Sequence, residues 1–441
     1  MTVKRISLKV SQEAALRVPL ARETAFRPLV EPEPLVVLGN ERVPDILSSA
    51  IVPSATSCFG PRGACLTFRK GPLWISDTGH HRLLGWRQLP TDDKTPADWL
   101  IGQADFSCEG RNGRGDVGPA TVNVPTGICV MEQGLVVADA WNHRVLIWHE
   151  VPSASNVPAD IVLGQSDFSS ALANRGADRP GAETLHWPYG VQYRAGKLLV
   201  ADTGNRRVLV WNNPPTKNGQ PADLVLGQTD FCIRDENAGA DPSAMSMRWP
   251  HAITFWGKRL CVSDAGNNRV LVWNDCPTES GVSANLVLGQ TDATNVDFNQ
   301  ALYWPRSNTL NMPYGVTAHG DWLIVADTAN SRILAWNDTQ PGTVGDPESS
   351  GVGQPDATSN PCDGQPGTAG NPETSGVGQS NSASGAEALF GQVNFHEKGD
   401  NRWQPAVADS LCWPYGVQSV DSLLVISDSG NNRVSIWKLA L

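Results

Sequence analysis

The sequence predicts an all-β ring: a six-bladed β-propeller of four-stranded antiparallel blades. Three observations carry this. A segment with Asp, Arg and Trp at fixed offsets recurs six times. A second segment, built around Gly-Gln, lies downstream of five of those Trp residues. A stray copy of the second segment stands near the N-terminus with no repeat before it.

The first segment reads ISDTGHHRLLGW, VADAWNHRVLIW, VADTGNRRVLVW, VSDAGNNRVLVW, VADTANSRILAW and ISDSGNNRVSIW. Its aspartates are Asp77, Asp139, Asp202, Asp264, Asp327 and Asp428, spaced by 62, 63, 62, 63 and 101 residues. Five residues on stand Arg82, Arg144, Arg207, Arg269, Arg332 and Arg433, and nine residues on stand Trp86, Trp148, Trp211, Trp273, Trp336 and Trp437. A third segment, of the form WPYGVQ, precedes each Asp, with GPRGACLTF (60–68) as its weakest copy.

Each unit therefore offers four short apolar runs separated by turns, the pattern of a β-meander with a tight hairpin between its second and third strands. In RRVLVW the two-residue strand period puts Arg207, Leu209 and Trp211 on one face and Val208 and Val210 on the other. Such a sheet cannot bury both faces alone, and stacking six around an axis solves the problem. The last repeat stops at Trp437, four residues from the end, without a fourth strand. LVVLGN (35–40) can supply it, which predicts a 3+1 closure with residues 35–39 as the outer strand of the sixth blade and two sheet edges hidden.

The long gap comes from a Gly/Ser/Pro-rich stretch at 340–388, read as a loop insertion in the fifth blade whose composition cannot make a core. The expected organisation is an N-terminal extension at 1–34 and a propeller at 35–441.

Composition narrows the function. A formal net charge of −11 repels phosphate backbones and argues against nucleic acid as a partner. No window approaches 18 apolar residues and no apolar run follows the basic residues of the N-terminus, so neither a membrane span nor a signal peptide is expected. The nine Cys form no CxxC pair, which reads as reduced thiols and a cytoplasmic location.

The turn D-[TAS]-x-[NH]-x-R-[VIL], found at 77–83, 139–145, 202–208, 264–270, 327–333 and 428–434, resembles that of the NHL-repeat family. The resemblance covers nearly all of 35–441 and implies a β-propeller, most often six-bladed. It does not imply one function: members bind proteins, bind RNA, or carry out lyase or hydrolase-type chemistry. The repeated Asp, Arg and Trp read as structural. The Asp is expected to accept backbone N–H groups across its tight turn, and Gly79, Gly204, Gly266 and Gly430 to adopt positive φ at the bend.

A ligand is instead expected where the six-fold pattern breaks, at the channel mouth. The candidate binding residues are Arg62, Thr126, Tyr189, His251, Arg306, Tyr314 and Tyr415. His186, Trp187, Trp249, Trp304 and Trp413 lie alongside, as a recognition surface or as Trp–Pro stacks that hold the inter-blade loops. No HExxH, GxSxG or Walker-type motif appears, and no catalytic residue is assigned. No cofactor is called for. A single calcium or other divalent cation in the channel, held by backbone carbonyls and one or two carboxylates, would leave almost no trace in the sequence. The leading reading is an interaction scaffold or assembly factor that takes a protein or peptide partner, with a small molecule also admissible. The alternatives are a metal-dependent propeller enzyme, lyase or lactonase-like, and an RNA-binding propeller.

Overall fold

The computed structural model describes residues 26–40, 52–338 and 385–441. Six four-stranded antiparallel sheets stand in a ring, and the inner strands of neighbouring blades touch all the way round. Blade 3 shows the plan. Its strands Pro188–Arg194, Lys197–Asp202, Arg207–Trp211 and Leu224–Leu226 run from the axis outward. The other inner strands are Gly63–Leu66, Pro125–Met131, Pro250–Trp256, Pro313–His319 and Pro414–Val420.

In the sixth sheet, Val36–Leu38 pairs antiparallel with Arg433–Lys438, so the outermost strand comes from the N-terminal part of the chain. Just upstream, Arg27–Pro28 runs parallel to Ala388–Phe390 and adds a fifth strand to blade 5, with Leu29 and Val30 buried behind it. The segment read as an extension thus lies against the ring where it is described. Its first 25 residues, and 339–384 of the expected insertion, lie outside the described residues.

The hydrophobic core is six cores, one between each pair of blades. Leu209 and Trp211 pack with Val136, Ala138 and Val145 of blade 2, while Val208 and Val210 pack with Leu260, Val262 and Leu271 of blade 4. The last core joins Val36 and Leu38 to Leu73, Ile75 and Trp86 of blade 1.

Each Asp and Arg forms a buried hub. Asp202 Oδ1 accepts the backbone N–H of His186 at 2.7 Å, and Oδ2 accepts Arg207 Nε and Asn205 Nδ2 at 2.8 Å each. Arg207 also donates to the carbonyls of Phe231, Gly181 and Thr184. One guanidinium therefore ties the hairpin to the loop before its inner strand and to the segment after its outer strand. The Arg–Asp distance is 2.7–2.9 Å in all six hubs. Asn205 exchanges amide bonds with Asn174, which follows the outer strand of the previous blade.

Two expectations about this hairpin change. The Asp does not cap its own turn; it accepts from a backbone N–H 16 residues upstream, or 18 for Phe59 in blade 1. Gly79, Gly204, Gly266 and Gly430 are not the residues at positive φ. That conformation falls two positions later, at His81, Arg206, Asn268 and Asn432, with φ of 53–58°. In blade 3 the glycine leaves space, since a Cβ on Gly204 would stand 2.5 Å from the His186 carbonyl oxygen; blades 2 and 5 carry Trp141 and Ala329 at this position.

Candidate functional site: the channel mouth

A Pro opens the inner strand of blades 2 to 6, and Pro61 stands just before that of blade 1. The residue after it points the same position of every blade at the axis. Those residues are Arg62, Thr126, Tyr189, His251, Tyr314 and Tyr415. The next residue is Gly in five blades because the following blade comes so close. A Cβ on Gly190 would meet the His251 carbonyl oxygen at 2.1 Å, and one on Gly127 the Tyr189 carbonyl oxygen at 2.4 Å.

Five of the six axial residues close a circuit. Ring centroids are 4.9 Å apart for Tyr189 and His251, 4.2 Å for His251 and Tyr314, and 4.4 Å for Tyr314 and Tyr415. The Arg62 guanidinium completes it, 4.7 Å from the Tyr415 ring and 5.8 Å from Tyr189. His251 and Tyr415 are 6.0 Å apart across the middle, so the circuit leaves no open bore at this level. Thr126 stands outside it, buried, with its hydroxyl donating to the Tyr189 carbonyl at 2.9 Å.

The circuit separates two spaces. Below it, a 290 Å³ channel is lined by the inner strands. Above it opens a vestibule of about 1040 Å³. Trp187, Trp249 and Trp413 stand around the vestibule at 44, 38 and 39% exposure. Arg206, Arg234, Asp235, Glu236 and His186 also line it, and the sequence pattern did not single out the four charged ones. Their only signal was that the blade 3 copies depart from the repeat.

Two candidates fall elsewhere. Arg306 sits on an exposed loop between blades 4 and 5 and does not line the vestibule. It occupies a loop position whose backbone carbonyl accepts from the hub Arg332 at 2.9 Å, so its side chain is turned to solvent. Trp304 stacks edge-on with Tyr303 beneath Lys398, away from the mouth.

Burial sets the chemistry of the circuit. It pushes the His251 imidazole down to about 4, and Nδ1 lies 3.0 Å from the Trp249 carbonyl, which can only accept. His251 is therefore neutral at physiological pH, protonated on Nδ1. Burial pushes the Tyr314 hydroxyl up to about 12 and that of Tyr415 well above its ordinary value, so both keep their protons. Among the described residues no three His, Cys, Asp or Glu side chains converge as a metal site would require, and no helix is long and apolar enough to cross a membrane.

At the rim, the residue at positive φ reaches the next blade. The N–H of Trp187 donates to His143 Nδ1 at 3.1 Å, that of Val124 to His81 Nδ1 at 3.2 Å and that of Met312 to Asn268 Oδ1 at 2.8 Å.

These features define a six-bladed β-propeller with one buried Asp–Arg hub per blade and an asymmetric aromatic mouth. A human protein, NHL repeat-containing protein 2, is 25% identical over 278 residues, covering 59% of this chain and 36% of its own length. With the six registered hubs, this likeness supports an NHL-repeat propeller; the chain spans about a third of that relative's length. No protein-family model matches it. Among solved structures, Kuenenia stuttgartiensis hydrazine synthase aligns at a TM-score of 0.45 and 12% identity, over 90% of this chain and 99% of that one. Streptogramin B lyase aligns at 0.40 and 10%, over 88% and 95%. A chain of the nidogen/laminin complex aligns at 0.36 and 14%, over 63% and 75%.

Proposed function

We propose that the protein is a binding module, a scaffold or assembly factor that takes a peptide segment of a protein partner into the vestibule. The observation that carries this is the pairing of an open, tryptophan-rimmed space of about 1040 Å³ with a floor of closely packed rings. That volume stands at the top of the ~300–1,000 Å³ range of small-ligand pockets. Exposed aromatic groups clustered at a concave site are what partner recognition uses. Its place of work on this reading is the cytoplasm, where buried thiols such as Cys65 and Cys129 stay reduced.

The test is photo-crosslinking from the rim in a native lysate, followed by recapture with a Trp187→Ala/Trp249→Ala variant. A partner crosslinked at the mouth and lost at least about tenfold by the variant is expected. A partner that the variant retains in full would remove the mouth as the docking surface.

A further inference from the structure

The hub arginines and the axial Arg62 are held in opposite ways. The six hub arginines each sit against an aspartate. Arg62 does not: among the described residues no carboxylate lies within ion-pair distance of it. Its one side-chain hydrogen bond, to the Tyr189 hydroxyl, is 3.5 Å long and at the limit of the range. A guanidinium half-buried at the floor of a cavity, held by two ring faces and one long hydrogen bond, has four N–H donors left for something else.

We infer that Arg62 seats a carboxylate, that of a peptide chain end lowered into the vestibule, with the hydroxyls of Tyr314 and Tyr415 beside it and the terminal side chain against the rim tryptophans. The inference rests on the reading of the mouth as a peptide site and adds the group that the site selects.

Four observations support it. Of the six axial positions only this one carries a charge, and it is a cation whose planar fork matches a carboxylate. The hydroxyls of Tyr314 and Tyr415 make no hydrogen bond to protein among the described residues, so both are free to donate. The vestibule lining holds three arginines against Asp235 and Glu236, a balance of +1, in a chain of formal net charge −11. Finally, the circuit that makes the floor carries one cation: His251 is held neutral and Arg62 is its one charged member, while Arg206 and Arg234 belong to the vestibule wall outside the circuit, so one carboxylate matches the floor better than a phosphate dianion.

The experiment uses the full chain and calorimetric titration. The probes are a pentapeptide ending in Phe, as free acid and as C-terminal amide, with benzoate and inorganic phosphate as small-anion arms. Wild type is expected to bind the free acid at least about tenfold more tightly than the amide, the order of one charge-assisted bond in a shielded site, with the preference shrinking as salt is added. Arg62→Gln is expected to bind acid and amide alike, and Arg62→Lys to keep part of the preference. Both variants should match the melting curve of wild type, which excludes unfolding as the cause.

Equal affinity of wild type for acid and amide overturns the inference, as does an Arg62→Gln variant that keeps the preference. Phosphate binding more tightly than the peptide acid overturns it too. Benzoate binding as tightly as the peptide acid overturns the chain-end assignment. If acid and amide bind wild type equally and Trp187→Ala/Trp249→Ala abolishes both, the carboxylate falls and the peptide site stands. If neither binds, both fall.

Discussion

Two rings of side chains run around this propeller, and they are built on opposite rules. In the hub ring the same Asp and Arg recur in every blade, fully buried, with every described Arg Nε pointed at an Asp oxygen. In the mouth ring one position per blade carries Arg, Thr, Tyr, His, Tyr and Tyr. The hub repeats the same residues because each of its polar atoms has geometrically fixed, buried partners that water cannot replace. The mouth ring can vary because its contacts are ring faces, which accept several side chains at similar separation.

The difference is sharpest on removing a hub arginine. Arg207→Met would leave the Asp202 carboxylate and the carbonyls of Gly181, Thr184 and Phe231 buried with a partner gone. Breaking a buried pair in this way costs about 3–5 kcal/mol. Chemical denaturation should show a loss of that size. A loss below about 1 kcal/mol would mean that the hubs are dispensable decoration on the inter-blade cores.

Next in size is the contact between the two rings' supports. Gly190→Ala drives a Cβ against the His251 carbonyl, in a place where backbone meets backbone and no side chain can turn aside. Overpacking of this kind costs about 1–3 kcal/mol. The melting temperature should fall, and the tyrosine and histidine ring resonances of the mouth should shift while those of distant blades do not. Unmoved mouth resonances would uncouple the glycine from the circuit.

The ring plan, the number of blades and the identity of the hub residues were all legible in the sequence, because a six-fold repeat at fixed spacing is a statement about geometry. The use of each hub atom was not. Which N–H the Asp accepts depends on where the loop 16 residues upstream passes, and Gly204 looked like a turn residue when it is a gap left for the His186 carbonyl. At the mouth, register alone placed one residue after each inner Pro, and five of these six meet in the circuit. Arg306 was grouped with them as a residue that breaks the six-fold pattern, although its segment lies a full loop before the strand. Arg206, Arg234, Asp235 and Glu236 were invisible because nothing in a sequence says which loops of a ring lean over its axis.

Acid should act on the mouth side through its histidines. His251 and His143 are both lowered to about 4, chiefly by burial, and His81 and His186 are lowered in the same way. The unfolded chain takes up these protons near pH 6.5 and the folded one resists. Their contribution to stability is therefore complete above about pH 6.5 and declines as pH falls toward 4, by up to about 1.4 kcal/mol per pH unit for buried His251 and by less for the partly exposed His143, His81 and His186, where solvent screens the charge. His143 and His81 have a specific reason, since a protonated Nδ1 can no longer accept the N–H of Trp187 or Val124. Asn268 does the same work in blade 4 without titrating. His143→Asn should therefore flatten the fall in melting temperature between pH 6.5 and 4. An unchanged slope would place the acid sensitivity elsewhere.

The smallest effect on stability is expected from Arg62→Gln, and it separates the two arginine types directly. The guanidinium of Arg62 gains cation–π contact with Tyr415 at 4.7 Å, worth about 0.5–1 kcal/mol at a partly exposed site. Against that stands the cost of holding a cation half-buried with no carboxylate beside it. The two nearly cancel, so denaturation midpoints of wild type and Arg62→Gln should agree within about 1 kcal/mol. That near-equality is what a residue kept for a ligand looks like: its hydrogen-bonding capacity goes unspent until something enters the vestibule. A loss as large as that of Arg207→Met would show instead that Arg62 props the ring open, and the mouth would then have to be read as a seventh hub with its charge compensated by ring faces.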